Sequence, residues 1–88
     1  MEFRWNDWNL EHISRHGIDP DEAETVVHEA HSPYPMSRSD DKWLVWGPGL
    51  GERPLQVVFI LDEDDAVFVI HARPLTEAER RRYRRNRR

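Results

Sequence analysis

Two apolar runs, Leu55 to Leu61 (LQVVFIL) and Ala66 to Ala72 (AVFVIHA), stand four residues apart across Asp62-Glu63-Asp64-Asp65. A nearly continuous apolar run of this length is the pattern of a strand covered on both faces. The acidic tetrad between the runs is a polar turn, so the second run returns as the antiparallel partner of the first. The tetrad has the composition of a magnesium site, but contiguous turn carboxylates point apart and repel, which favours the turn. A further strand, Lys42 to Trp46, is closed by Gly47-Pro48-Gly49-Leu50-Gly51. Those glycines lack the lysine and the following helix of a phosphate-binding loop and read as a second hairpin.

The remaining segments supply the cover. Phe3 to Trp5 reads as a short first strand. Asn6 then offers a side-chain cap to a helix from about Asp7 to His16, and Gly17 suits the left-handed helix end. Asp19-Pro20-Asp21-Glu22 is a stronger start signal, with a capping carboxylate, proline at the first helical position and glutamate at the third. Ala23, Val26, Val27 and Ala30 follow as the stripe of a helix packed on a core. The prolines of His31-Ser32-Pro33-Tyr34-Pro35 break that helix. After the last strand, Pro74 is a stop, and Thr76 with Glu79 forms a capping box that starts an arginine-rich helix docked chiefly by Tyr83.

The sum is a single α+β domain over residues 1–88: an antiparallel sheet of about four strands, two N-terminal helices and a basic C-terminal helix. A chain of 88 residues buries roughly 60–65% of its unfolded surface, and four tryptophans give the core large pieces. The chain has no cysteine, so disulfides and thiolate metal sites are excluded and a reducing cytoplasm is expected. No apolar run approaches the ~20 residues of a membrane helix, and the N-terminus does not read as a signal peptide.

Charge is segregated along this plan. Residues 73–88 hold eight arginines against two acids, a net +6, while residues 1–72 hold five bases against fifteen acids, a net −10. Arginine pairs with planar phosphates in a bidentate way that lysine does not. The block is either a phosphate-binding surface or a solvated helix end whose cations suit the dipole.

Strand alternation predicts Val67, Val69, His71 and Arg73 on one side, with Phe68, Ile70 and Ala72 on the other. His71 and Arg73 thus share the strand end where the basic helix begins, and Tyr83 returns toward the same place. An imidazole can move protons at neutral pH, and a guanidinium beside it can hold a phosphate and stabilise extra negative charge. The alternative is a half-buried histidine and an arginine tied to an acid of the acidic body, residues 1–72. His12 and His16, at i and i+4, lack the glutamate of HExxH and a third ligand. His28 and His31 flank a helix end, where the dipole favours them.

The segments WNDWNLEHISRHGIDPDEAETV, DDKWLVWGPGLGERPLQVVFIL and VFVIHARPLTEAERRRYRR together resemble the BrnT family of type II toxins, of the RelE-like group of small ribonucleases. The most specific parts are Arg15-His16-Gly17-Ile18, the acidic capped helix, and Ala72-Arg73 followed by Thr76, Glu79, Arg80 and Tyr83. The resemblance implies a RelE-like fold, RNA cleavage and inhibition of translation without metal or other cofactor. It also implies a cognate ribbon-helix-helix antitoxin (BrnA-like) in a hetero-oligomer with the toxin. Arg15, His16, Arg53, Arg73 and Tyr83 match family-typical polar positions. The family's strand often carries serine or threonine at the position of His71 and arginine at that of Phe68, so this chain departs from it twice.

The resulting expectation is a metal-independent endoribonuclease. His71 or His16 would take the proton of a ribose 2′-hydroxyl, Arg73 and Arg53 would stabilise the phosphate, and Tyr83 would orient the backbone. Arg15, Arg80, Arg81, Arg84 and Arg85 would hold RNA, and the distal arginines to Arg88 would hold RNA or the antitoxin. The alternative is a non-catalytic module whose arginine helix binds RNA, DNA or an acidic partner.

Overall fold

The computed structural model describes residues 1–86, leaving Arg87 and Arg88 outside the described residues. Strands β1 (Met36–Ser39), β2 (Lys42–Pro48), β3 (Pro54–Leu61) and β4 (Val67–Pro74) form one antiparallel sheet in the order β1-β2-β3-β4. Helices α1 (Asp7–Ser14) and α2 (Pro20–His28) precede the sheet and α3 (Glu77–Asn86) follows it. The expected α+β plan of three helices on a four-stranded antiparallel sheet is the fold observed. No helix among the described residues is long and apolar enough to cross a membrane.

The fourth strand is not the one expected. Phe3 makes a single parallel bridge to Val67, with Arg4 N–H donating to the Val67 carbonyl at 2.9 Å and Val67 N–H to that of Glu2 at 2.7 Å. Asn6 is already committed to capping α1, which leaves room for no more ladder. Its Oδ1 accepts from the Asn9 N–H, Asn9 Oδ1 accepts from the Asn6 N–H, and Asn9 Nδ2 donates to the Arg4 carbonyl. The strand that completes the sheet is Met36–Ser39, a four-residue piece folded back on β2.

At α2 the start signal holds and its chemistry differs. Asp19 occupies the cap position in extended conformation with Pro20 next, but its side chain makes no capping bond. Glu22 does not cap either. It lies 5% exposed and takes a hydrogen bond from Arg53 at 3.2 Å. Gly49 is required beside it, since a Cβ there would stand 2.5 Å from Glu22 Oε2 and 2.7 Å from Leu55 Cδ1.

The face toward α1 and α2 is the main core. Ile13, Ile18, Ala23, Val26 and Val27 pack there against Val45, Leu55, Val57, Phe59, Val67, Val69 and Ala72. A bulge then changes the alternation of β4. Phe59 pairs with Val69 and Val58 with His71, so Ile70 is the extra residue. Val67 and Val69 lie on the core face, but His71 and Arg73, expected on the same side as them, are shifted to the opposite face, and Ala72, expected opposite, takes the core position. Cross-strand partners share a face, so His71 lies with Val58, and Arg73 with Gln56 and Trp46.

Helix α3 covers one end of that second face. Tyr83 is buried, as its anchoring role required, with its ring edge-on to Trp46 at 6.5 Å, and Leu75 completes the cluster. The capping box forms as expected: Glu79 N–H donates to Thr76 Oγ1, and Thr76 N–H to Glu79 Oε1. Fully buried Asn9 ties the α1 cap to the segment bridged to β4, so Asn9→Ala should cost about 1–3 kcal/mol, the usual penalty for orphaning buried polar groups. Urea unfolding measures this, and a loss within about 0.5 kcal/mol, typical of surface substitutions, would show the box to be incidental.

Candidate functional site

The part of the second sheet face that α3 leaves uncovered is a groove of about 400 Å³. Its floor is Gln56, Val58 and Ile70, and its rim carries Arg38, Lys42, His71 and Arg73. Strands β1, β2 and β4 supply the rim, and β3 supplies most of the floor. Lys42 opens β2 opposite Ile60, and Arg38 occupies an irregularity of β1 between Ser37 and Ser39. Trp46 Nε1 donates to Gln56 Oε1 at 3.0 Å and fixes that side chain in the floor. Among the described residues no carboxylate lines the groove.

Its electrostatics follow from this composition. The pKa of His71 is lowered from its ordinary 6.5 by burial first, and then by the positive charges of Arg73, His16, Arg38 and His12. His71 is therefore a neutral imidazole at pH 7, able to accept a proton. The His16 ring, just beyond α1, lies 5.9 Å from it in an edge-on arrangement. Arg38 and Lys42 have no carboxylate partner among the described residues. They are the groove's uncompensated cations.

Arg73 is held differently. Its guanidinium donates to both carboxylate oxygens of Glu79, at 2.7 and 2.9 Å, and to the Pro74 carbonyl at 3.1 Å. The hydrogen bond to Glu79 raises the arginine's pKa and, with the Thr76 cap, brings the glutamate down to about 2. Arg73 thus lines the groove while its planar fork is already occupied.

The other expected site residues divide. Arg53 is turned away to the core-side face, donating to Glu22 and to the Gly17 carbonyl, both at 3.2 Å. It lies just before β3, five residues from Val58, the partner of His71, and does not join the groove. Tyr83 is spent on docking α3. With Arg80, Arg84, Pro48, Glu52 and Pro54 it lines a second hollow of about 280 Å³. Arg15 pairs with Glu11 at 2.7 Å, and Arg81 with Glu77 at 3.4 Å. Arg85 is exposed near the end of α3.

The sequence pointed neither to Arg38 nor to Lys42. Lys42 was legible from its even spacing with Leu44 and Trp46, which lie on the same face. Arg38, in an irregular strand, carried no such signal. The Arg4 guanidinium lies 4.2 Å over the Phe68 ring and pairs with Asp62. Among the described residues, no group of three or more histidine or acidic side chains is placed to hold a metal ion. His12 instead stacks on Trp8 and donates from Nδ1 to the Trp8 carbonyl at 2.7 Å.

No protein-family model, curated protein or solved structure matches this chain. Its function has to be read from its own residues and geometry.

The lowered pKa of His71 has a consequence for stability. The unfolded chain protonates this residue near pH 6.5 and the folded chain only at lower pH, so folding weakens as pH falls through 6.5 toward the folded value. Denaturant unfolding at pH 7.5 and 5.5 should show that loss in the wild type and a smaller one in His71→Gln. Equal losses in the two proteins would mean that the imidazole is not disfavoured as a cation.

Proposed function

We propose that this protein is a toxin of the metal-independent endoribonuclease type, binding single-stranded RNA across the open sheet face. The observation that carries the proposal is a neutral imidazole, His71, in a groove rimmed by Arg38, Lys42 and Arg73, with a second imidazole, His16, 5.9 Å away. In the proposed reaction His71 accepts the proton of a ribose 2′-hydroxyl and the oxygen attacks the adjacent phosphorus. The bond from phosphorus to the 5′-oxygen breaks, and His16 in its protonated form returns a proton to that leaving oxygen. The products are a 2′,3′-cyclic phosphate and a 5′-hydroxyl. Arg38 and Lys42 hold the phosphate oxygens and supply the field that stabilises the extra negative charge, while Arg73, paired with Glu79, lines the groove.

The roles expected of Arg53 and Tyr83 are redrawn in this proposal. Arg53 contributes by fixing the loop before β3 to Glu22, and Tyr83 by anchoring α3. Resemblance to the BrnT toxins supports the same reaction class. It brings a ribbon-helix-helix antitoxin as partner, for which the arginines of α3 are the complementary surface to an acidic segment. Co-purification with such a protein tests that pairing.

Cleavage should proceed in EDTA and stop when the ribose at the cut site is 2′-deoxy. His71→Gln and His16→Gln should each lower the rate by roughly 10²–10⁴-fold, the usual range for general acid–base assistance. Intact RNA with wild type, or wild-type rates in both variants, would remove the mechanism. Lys42→Ala and Arg38→Ala should weaken binding and each reduce the salt slope by about 1.

A non-catalytic module acting through α3 is the second reading, favoured by Arg84 and Arg85, which are exposed and have no carboxylate partner among the described residues. It predicts RNA binding without product, lost in the double variant Arg84→Glu, Arg85→Glu. Removing α3 altogether would not test it, because Tyr83 leaves with the helix and Trp46 is uncovered.

A further inference from the structure

Gln56 stands in the floor of the groove, 4% exposed, with Trp46 opposite it on one neighbouring strand and Arg73 opposite it on the other. An indole N–H can only donate, so the group facing Trp46 Nε1 at 3.0 Å must be the amide oxygen. That contact takes Oε1 and fixes the amide, which turns the NH2 group away from the indole. Nε2 has no hydrogen-bond partner among the described residues. No side-chain nitrogen or oxygen sealed from solvent is left unpaired among them. Nε2 therefore reaches the water of the groove that Gln56 lines.

The indole needs only an acceptor, and glutamine brings two donors besides. In a side chain this buried, a ligand that displaces the water must accept from those donors or leave them orphaned, which costs more than such a bond gains. Arg38, Lys42 and Arg73, which also line the groove, are donors as well. The lining thus suits a ligand rich in acceptor oxygens. Register narrows the role further. Strands β3 and β4 pair regularly from Leu55 to Val58, with the bulge beyond, so His71 is the diagonal neighbour of Gln56 on the same face. Diagonal neighbours stand about 7–8 Å apart, within reach of long side chains. With a ribose 2′-hydroxyl at the imidazole, the phosphate it attacks comes within reach of the amide.

We infer that Gln56 Nε2 donates to a non-bridging oxygen of the scissile phosphate, and that Trp46 holds the amide in the orientation this requires. The inference rests on the RNA reading above and adds a neutral donor to the cations Arg38 and Lys42. A donor fixed before the reaction, in a floor largely closed to water, strengthens its bond as the oxygen gains charge. Its contribution falls on the chemical step and not on binding.

The test uses the full chain and an RNA oligonucleotide, with kcat and KM measured separately. Gln56→Met keeps the length of the side chain and removes its donors, and circular dichroism checks that it folds. Its kcat should fall about 10²–10³-fold, the usual loss for one oxyanion donor. Its KM should stay within about threefold of wild type, as for an interaction made only in the transition state. Sulfur in place of the accepting oxygen, in one phosphorothioate diastereomer at the cut site, should slow the wild type. It should slow Gln56→Met much less, because the donor it impairs is already gone. Gln56→Glu keeps an acceptor for Trp46 and carries the test if Gln56→Met does not fold; its kcat should fall at least as far. A kcat within about twofold of wild type in either folded variant, a loss lying wholly in KM, or an equal sulfur penalty in wild type and variant would overturn the assignment and leave the groove reading intact. RNA left intact by the wild type would overturn the RNA reading itself, and the assignment with it.

Discussion

One extra residue in β4 decides what this sheet can do. With regular pleating from Val69 onward, His71 and Arg73 would point into the hydrophobic layer under α1 and α2, where a guanidinium is very costly to bury. The bulge at Ile70 moves both to the other face and returns Ala72 to the core. A small residue suits the place where β4 re-enters the packed layer, and Ala72 is fully buried there. The site and the core are therefore made by the same local irregularity, a common place for a bulge to re-aim side chains.

The second face is then divided between packing and charge. Helix α3 has few apolar residues and seats itself through Tyr83 on Trp46, with the Arg82 guanidinium 5.2 Å from the same ring. Its first turn is held by Glu79, which caps the helix and clamps Arg73 with one carboxylate. Two consequences meet in that group. The strand end is fastened to the helix start, and the arginine that sequence marks as the phosphate ligand is already paired with a carboxylate. The free positive charge of the groove falls to Arg38 and Lys42, which come from the hairpin on the other side.

Much of the fold could be read from residue order because the signals were local. The hairpin across Asp62–Asp65, the capped helices, the stop at Gly17 and the seating of Tyr83 each depend on neighbours within a few positions. The strand at Met36–Ser39 was missed because MSRS has no apolar alternation and is exposed throughout. The face of His71 was missed because periodicity counts residues and a bulge adds one. Of the site, the His71–Arg73 pair was visible in the sequence, whereas the approach of His16 to His71, across 55 positions of chain, came only with the fold. The partners of Arg53 and Arg73 were not visible either, since Glu22 is 31 residues from Arg53 and Glu79 reads as a helix cap alone.

The irregularity of β1 at Arg38 matters beyond the groove. An open sheet has two edges whose unpaired amides invite another strand, in this molecule or in a second one. The β4 edge is shielded by α1 and by the bridge at Phe3. The other edge is only four residues long, breaks register midway and carries an arginine there. A strand offered by a neighbouring molecule would find no straight run of amides to pair with, so the cation that lines the groove also guards the sheet against growing by edge addition.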